Sequence, residues 1–408
     1  MRMINPDFNA TDMTFMLVAT VLVMVMTPGL ALFYGGLVSK KNAIAIMMQS
    51  FVAMGLSTIL WVVVGYSLCF SGDFHGVIGD FHNAFLLNIG AETASPVSTA
   101  LPIYIFLAYQ LMVVVITPPL ITGAFTSRVS FKGYLLFLVL WQLFIYYPIC
   151  HMVWGGGILQ QWGVKDFGGG IVVHAIAGMS ALATVLYLGH RKVKDNPHSI
   201  PLVALGMSIL WFGWFGFTAG NAWGMNDVAV LAFVNTAIAG GFASFIWMIM
   251  DFGYEGKFKL VGFLTGGLAG LVVITPAAGY VTPQAAMVLG IAAGFICYMA
   301  IRFKNSRKWD DALDVWGVHG IGGFTGIVLL GAFSTLSVNE AGADGLLYGN
   351  PRFFGLEFGA VAFASLYAFF ITYVIFYILG KVMVLHTSKK TEEQGLDQKY
   401  HGEAAYGE

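Results

Sequence analysis

Apolar runs of about twenty residues, the length a helix needs to cross a bilayer's hydrocarbon core, recur along the whole of this 408-residue chain. Backbone N–H and C=O groups in such a run meet no water, so each run must close its own hydrogen bonds as a helix. Eleven spans are predicted, at about 12–34, 42–70, 99–124, 131–150, 168–189, 200–222, 228–252, 258–277, 283–302, 315–335 and 354–385. With 58% hydrophobic and 10% charged residues, the chain has too little charge to cover a soluble domain of this size. The fold class expected is an all-α polytopic membrane protein, with small residues among its 51 glycines letting helices approach closely. A net charge of −1 gives no footprint for nucleic acid. Cys69, Cys150 and Cys297 sit singly in apolar runs and read as buried small apolar residues. They suit neither a disulfide framework nor a metal cluster. The opening MRMINPDFNATDM makes a poor secretory signal, and its Asn9-Ala10-Thr11 matches a glycosylation sequon only as a short motif.

Positive charge alternates between loops. Lys40 and Lys41, Arg128 and Lys132, Arg191, Lys192 and Lys194, Lys257 and Lys259, and the run Arg302 to Lys308 follow the odd-numbered spans. Of the 20 Lys and Arg, only Arg2, Lys165 and Arg352 fall on the other side. Basic loops stay cytoplasmic. The N-terminus is therefore expected outside and the C-terminus inside, in the cell (inner) membrane, which requires an odd span count.

A repeat overlies this pattern. Asp166 precedes His174 by eight residues in DFGGGIVVHAIAG, and Asp311 precedes His319 by eight in DALDVWGVHGIGG. Val173-His174-x-Ile176-x-Gly178 matches Val318-His319-x-Ile321-x-Gly323. The copies fall on spans 5 and 10, dividing a transmembrane domain of residues 1–385 into halves at about 12–189 and 200–335 and an extra helix at 354–385, followed by a polar cytoplasmic tail, 386–408. Five spans per half is odd, so the halves enter the membrane in opposite senses, the plan of transporters whose site lies at the repeat interface. Ionisable residues inside a membrane are expensive and functional by default. His174 and His319 are thus expected to meet at the midplane. The tail's ordinary reading is a frayed terminus.

These residues resemble the ammonium transporter family (Amt/Mep/Rh) on its Amt branch. The resemblance runs through PGLALFYGGLVSKKN, HMVWGGG, DFGGGIVVH, WFGWFGF, ITPAAGYV and DVWGVHGIGG to GLD and HGEAAY in the tail. It implies an eleven-helix protomer, a homotrimer, one pore per protomer, and ammonium, with methylammonium as a candidate analogue, as the solute. It also implies no cofactor, no enzymatic activity, and a tail that couples subunits and meets PII-type regulators. Residue by residue, it puts Trp154 and Asp166 at an outer recruitment region, Phe217 at a gating ring, and His174 and His319 in the pore. Asp311 and Asp314 become carboxylates beside the pore helix, and we read them as structural supports facing the helix dipole. Two positions depart from the family pattern. Val113 stands where the first of two stacked phenylalanines is expected, and Asn221 where a small hydroxyl residue is expected.

The chemistry of these residue types fits the resemblance. An ammonium-sized ion moved alone into a dry low-dielectric medium costs on the order of 20 kcal/mol in the idealised limit. The Trp154 face attracts a cation by about 0.5–2 kcal/mol, and an Asn221 amide oxygen and the charge of Asp166 add to it. These do not repay full dehydration, so a proton must leave before the apolar passage. A neutral imidazole has one donor and one acceptor nitrogen, which lets two adjacent histidines pass a proton along. Potassium has no proton to give. Trp154 alone also reads as an interfacial belt residue, and Asp166 alone as a helix cap. Two other classes are weighed: an ammonium sensor signalling through the tail, and a membrane redox protein with both histidines on haem. The second lacks a CxxCH attachment motif, and two histidines alone fall short of a usual metal site.

Overall fold

The computed structural model describes residues 7–407. Arg2 lies outside the described residues. Among those residues there is no β-strand, and ten helices are long and apolar enough to cross a membrane. They are α1 (Ala10–Leu37), α2 (Ala43–Phe70), α3 (Ile103–Phe125), α4 (Phe131–Trp162), α5 (Gly170–Leu188), α6 (Ile200–Ala222) and α7 (Asp227–Glu255). After the shorter apolar helix α8 (Leu260–Ile274) come α9 (Pro283–Ser306), α10 (Trp316–Phe333) and α11 (Pro351–Val382). Each predicted span therefore has a helix. The expected 258–277 is cut to the 15 residues of α8, and the chain continues through a buried turn at Thr275, Ala277 and Ala278. Non-helical backbone at depth is tolerated where protein encloses it.

Local sequence sets the starts. Side chains of Asn9, Ser199, Asn226 and Thr282 accept N–H groups at the starts of α1, α6, α7 and α9, satisfying donors that a helix leaves unpaired. Asn9 thus acts as a cap, with its oxygen taken by Thr11 N at 2.9 Å and Asp12 N at 3.1 Å. Cys69, Cys150 and Cys297 are free and buried, as expected.

Glycines set the helix spacing. α1 and α6 lie so close that a Cβ on Gly36 would stand 2.6 Å from Ser199 O, and one on Gly206 2.7 Å from both Gly29 O and Phe33 Cα. α5 and α10 cross in the same manner: a Cβ on Gly323 would stand 2.6 Å from Ala175 N, and one on Gly178 2.8 Å from the His319 carbonyl carbon.

One face of the bundle carries the start of α1, and the other carries the tail. The tail is not frayed. Asp397 accepts Ile44 N at 3.0 Å and Ala45 N at 2.8 Å, capping α2. Glu392 accepts Lys192 N at 2.7 Å and Val193 N at 3.0 Å, and Lys41 Nζ donates to the Glu392 and Glu393 carbonyls. Buried N–H groups need acceptors, and the tail supplies them.

Candidate pore and outer vestibule

Asp166 and Asp311 do the same work on α5 and α10. Asp166 Oδ1 accepts Gly169 N and Gly170 N at 2.8 and 2.7 Å, and Oδ2 accepts Ile171 N and Val172 N at 2.7 and 3.2 Å. Asp311 accepts Val315 N at 3.1 Å and Trp316 N at 2.8 Å. Burial pushes the Asp166 carboxyl up, while its four N–H donors favour the anion. All of its side-chain hydrogen bonding goes into the cap. Its carbonyl accepts Trp154 Nε1 at 2.8 Å, fixing the indole. Asp314 pairs with Lys304 Nζ at 2.5 Å, and Lys304 also donates to Asp311 O at 2.8 Å, so both residues brace the start of α10.

Just inside these caps both helices widen into π-helical turns, Gly170–Ala175 and Trp316–Ile321. Each carries one histidine. Nδ1 of His319 lies 3.3 Å from Nδ1 of His174, with ring centroids 5.3 Å apart and planes tilted by 30°. Both side chains are buried. One Nδ1 must hold the shared proton and the other its lone pair, so the two outer Nε2 atoms differ in role. Nε2 of His174 has no hydrogen-bond partner. Among the described residues no group of three or more His, Cys, Asp or Glu side chains could hold a metal ion.

Three cavities follow one another past these rings. The first vestibule, about 530 Å³ and the outer one in the expected orientation, opens on the face that carries the start of α1; Trp154, Asp166, Asn221, Gln110, Trp223 and Asp12 are among the residues that line it. A narrow chamber of about 10 Å³ follows between Phe217, Trp214, Ile116, Leu120 and both histidines. That is room for about one small molecule. An inner vestibule of about 230 Å³, lined by His319, Tyr34, Asp195 and Asp314, opens toward the tail.

Helical spacing explains the lining. Phe106, Gln110, Val113, Ile116 and Leu120 fall on one face of α3 at steps of three or four residues. The first two line the vestibule and the last two the chamber. Val113 is buried and lines neither, so it stands at the step between them. On α6, Trp214 and Phe217 line the chamber and Asn221 the vestibule. Asn221 Nδ2 donates to Phe217 O at 2.7 Å and to Tyr109 Oη at 3.2 Å. A carbonyl only accepts, so the amide is fixed with its nitrogen on that side.

Trp214 has no role in the sequence reading. Its ring stacks on His174 at 5.4 Å and 15°, and its Nε1 donates to Thr275 Oγ1 at 2.9 Å. Its place three residues before Phe217, on the same helix face, is the only signal that could have found it.

A family model described as Ammonium Transporter Family matches residues 14–406. The chain belongs to the ammonium transporter family. An ammonium transporter of Bacillus subtilis is 41% identical over 400 residues, covering 97% of this chain and 98% of that one. The crystal structure of Saccharomyces cerevisiae Mep2 superposes with a TM-score of 0.88 at 30% identity, covering 95% of this chain and 92% of that one. A solved Sensor Amt Protein superposes with a TM-score of 0.86 at 26% identity, covering 96% and 98%. The family resemblance read from the motifs is therefore shown, and with it a multi-pass membrane protein that is a transporter by family rather than an enzyme.

Proposed function

We propose that the protein moves ammonium across the cell membrane by taking the cation into the outer vestibule, removing its proton, and passing ammonia through the chamber beside His174 and His319. The observation that carries this reading is the 3.3 Å contact between the two Nδ1 atoms in a chamber between two vestibules. A hydrated ion does not fit a space for about one small molecule, and stripping its water costs far more than the aromatic faces return. Deprotonation removes the charge and with it most of that cost. The histidine pair then relays the proton: one Nε2 accepts while the other donates. The basic loops support an α1 start outside and a tail inside, with α8 bringing the crossings to eleven. The family resemblance supports a homotrimer with one pore per protomer and a regulator of the PII type at the tail. Methylammonium would enter by the same chemistry.

Reconstituted protein tests this. An ammonium pulse gives a current in wild-type liposomes, and potassium gives none. His174→Ala and His319→Ala lose the ammonium current or admit potassium; both properties intact in either variant would reject the mechanism. A second reading, an ammonium sensor with little conduction, is favoured by Val113 at the step where the family pattern has a ring. Saturable ammonium binding without current would establish it.

A further inference from the structure

Asp166 lines the outer vestibule, but four N–H groups occupy its oxygens. The vestibule has one other formal charge among its lining residues, Asp12 in the first turn of α1. Asp12 is half-buried. Its Oδ1 accepts Met225 N at 2.8 Å, and its Oδ2 makes no hydrogen bond among the described residues.

The backbone is built around this carboxylate. A Cβ on Gly224 would stand 2.9 Å from Asp12 Oδ1, so the loop after α6 passes close against it. Trp223, just before, takes a left-handed conformation with φ of 54°, a strained state for a bulky residue that persists only when its surroundings hold it. Its ring packs at 5.0 Å on Phe106 and 5.1 Å on Tyr109 and lines the vestibule. Asp12 therefore does two things at once: it ties down the loop bearing Trp223, and it sets an uncapped negative charge at the wall. Fixed charge in a cleft with low-dielectric walls raises the local concentration of the opposite ion.

We propose that Asp12 is the recruiting carboxylate of the outer vestibule, drawing the cation in while Asp166 serves as a helix cap. This rests on the ammonium-transport reading. Asp12→Asn separates charge from structure, because its amide oxygen still accepts Met225 N. Currents from reconstituted wild type and Asp12→Asn are compared over a range of ammonium concentrations at about 10 mM and 300 mM ionic strength. At low salt the half-saturating concentration rises about three- to five-fold in the variant with maximal current unchanged. At high salt the difference closes, because the Debye length falls to several ångströms. Equal half-saturation at both ionic strengths overturns the proposal, as does a shift independent of salt, which would make Asp12 a loop tether only. If wild type carries no current, the transport reading fails and the same comparison is made on the midpoint of an ammonium titration of tryptophan fluorescence. There a salt-sensitive shift supports recruitment, and equal midpoints or no titration overturn it.

Discussion

Gly178 of α5 and Gly320 of α10 touch backbone to backbone: a Cβ added at Gly178 would fall inside the Gly320 amide. Each helix thus offers a glycine to the other one turn or less from a pore histidine, and this approach brings the two Nδ1 atoms within 3.3 Å. Gly178→Ala or Gly323→Ala forces the helices apart. Overpacking of this kind costs about 1–3 kcal/mol. We expect a lower melting temperature in detergent together with a loss of ammonium current larger than the loss of folded protein explains. A variant with wild-type current would show that the histidine spacing is not set here.

Asp166 gives a graded prediction. Alanine removes acceptors from four N–H groups, and asparagine keeps one oxygen. Loss of a single capping side chain costs about 0.5–2 kcal/mol, so Asp166→Ala should lie at or beyond the upper end and Asp166→Asn between it and wild type. Thermal unfolding in detergent reads the order. Wild-type stability in Asp166→Ala would remove the capping role.

The step at Val113 separates binding from passage. Val113→Trp fills the space between vestibule and chamber while leaving Trp154 and Asn221 in place. Ammonium titration of the purified variant should keep its midpoint, and the liposome current should fall at least ten-fold, since a passage for one small molecule has no room to spare. Current persisting near the wild-type level would move the constriction elsewhere.

On the tail face Asp310 binds Arg191 Nε at 2.9 Å and lies 3.6 Å from Arg128 Nη1. Burial pushes its carboxyl up, but the Arg191 hydrogen bond and the Arg128 charge outweigh this and hold it below its ordinary value. A depressed carboxyl stabilises the folded state above the unfolded value near 3.9 and loses that contribution as pH falls through the folded one. Asp310→Asn should therefore destabilise the protein by on the order of 1 kcal/mol from neutral pH down to about pH 4, with the gap closing in stronger acid. Melting curves across pH decide it; a gap that widens in acid would contradict the assignment.

The spans were legible because bilayer thickness forces their length, and the histidine pair because the repeat printed Asp, Val, His, Ile and Gly twice at the same offsets. The π-helical turns under His174 and His319 were not, since no residue type specifies an extra residue per turn. Nor was the stacking of Trp214, which depends on how α6 is rotated against α5. Asp166 reads as a helix cap that also adds charge at the outer mouth, but that four N–H groups share its two oxygens depends on backbone directions no motif prints. The tail's polarity suggested solvent, but Glu392 and Asp397 are acceptors for loops and helix starts far away in sequence.

That last contact orders biosynthesis. The acceptor for the first N–H groups of α2 is Asp397, more than 350 residues downstream of Ile44. While the ribosome is still making the later helices, those two donors lack the partner the finished protein gives them. The second helix to be synthesised is completed only after the eleventh, so any stalled or shortened product that stops before residue 397 carries an open seam at its first hairpin.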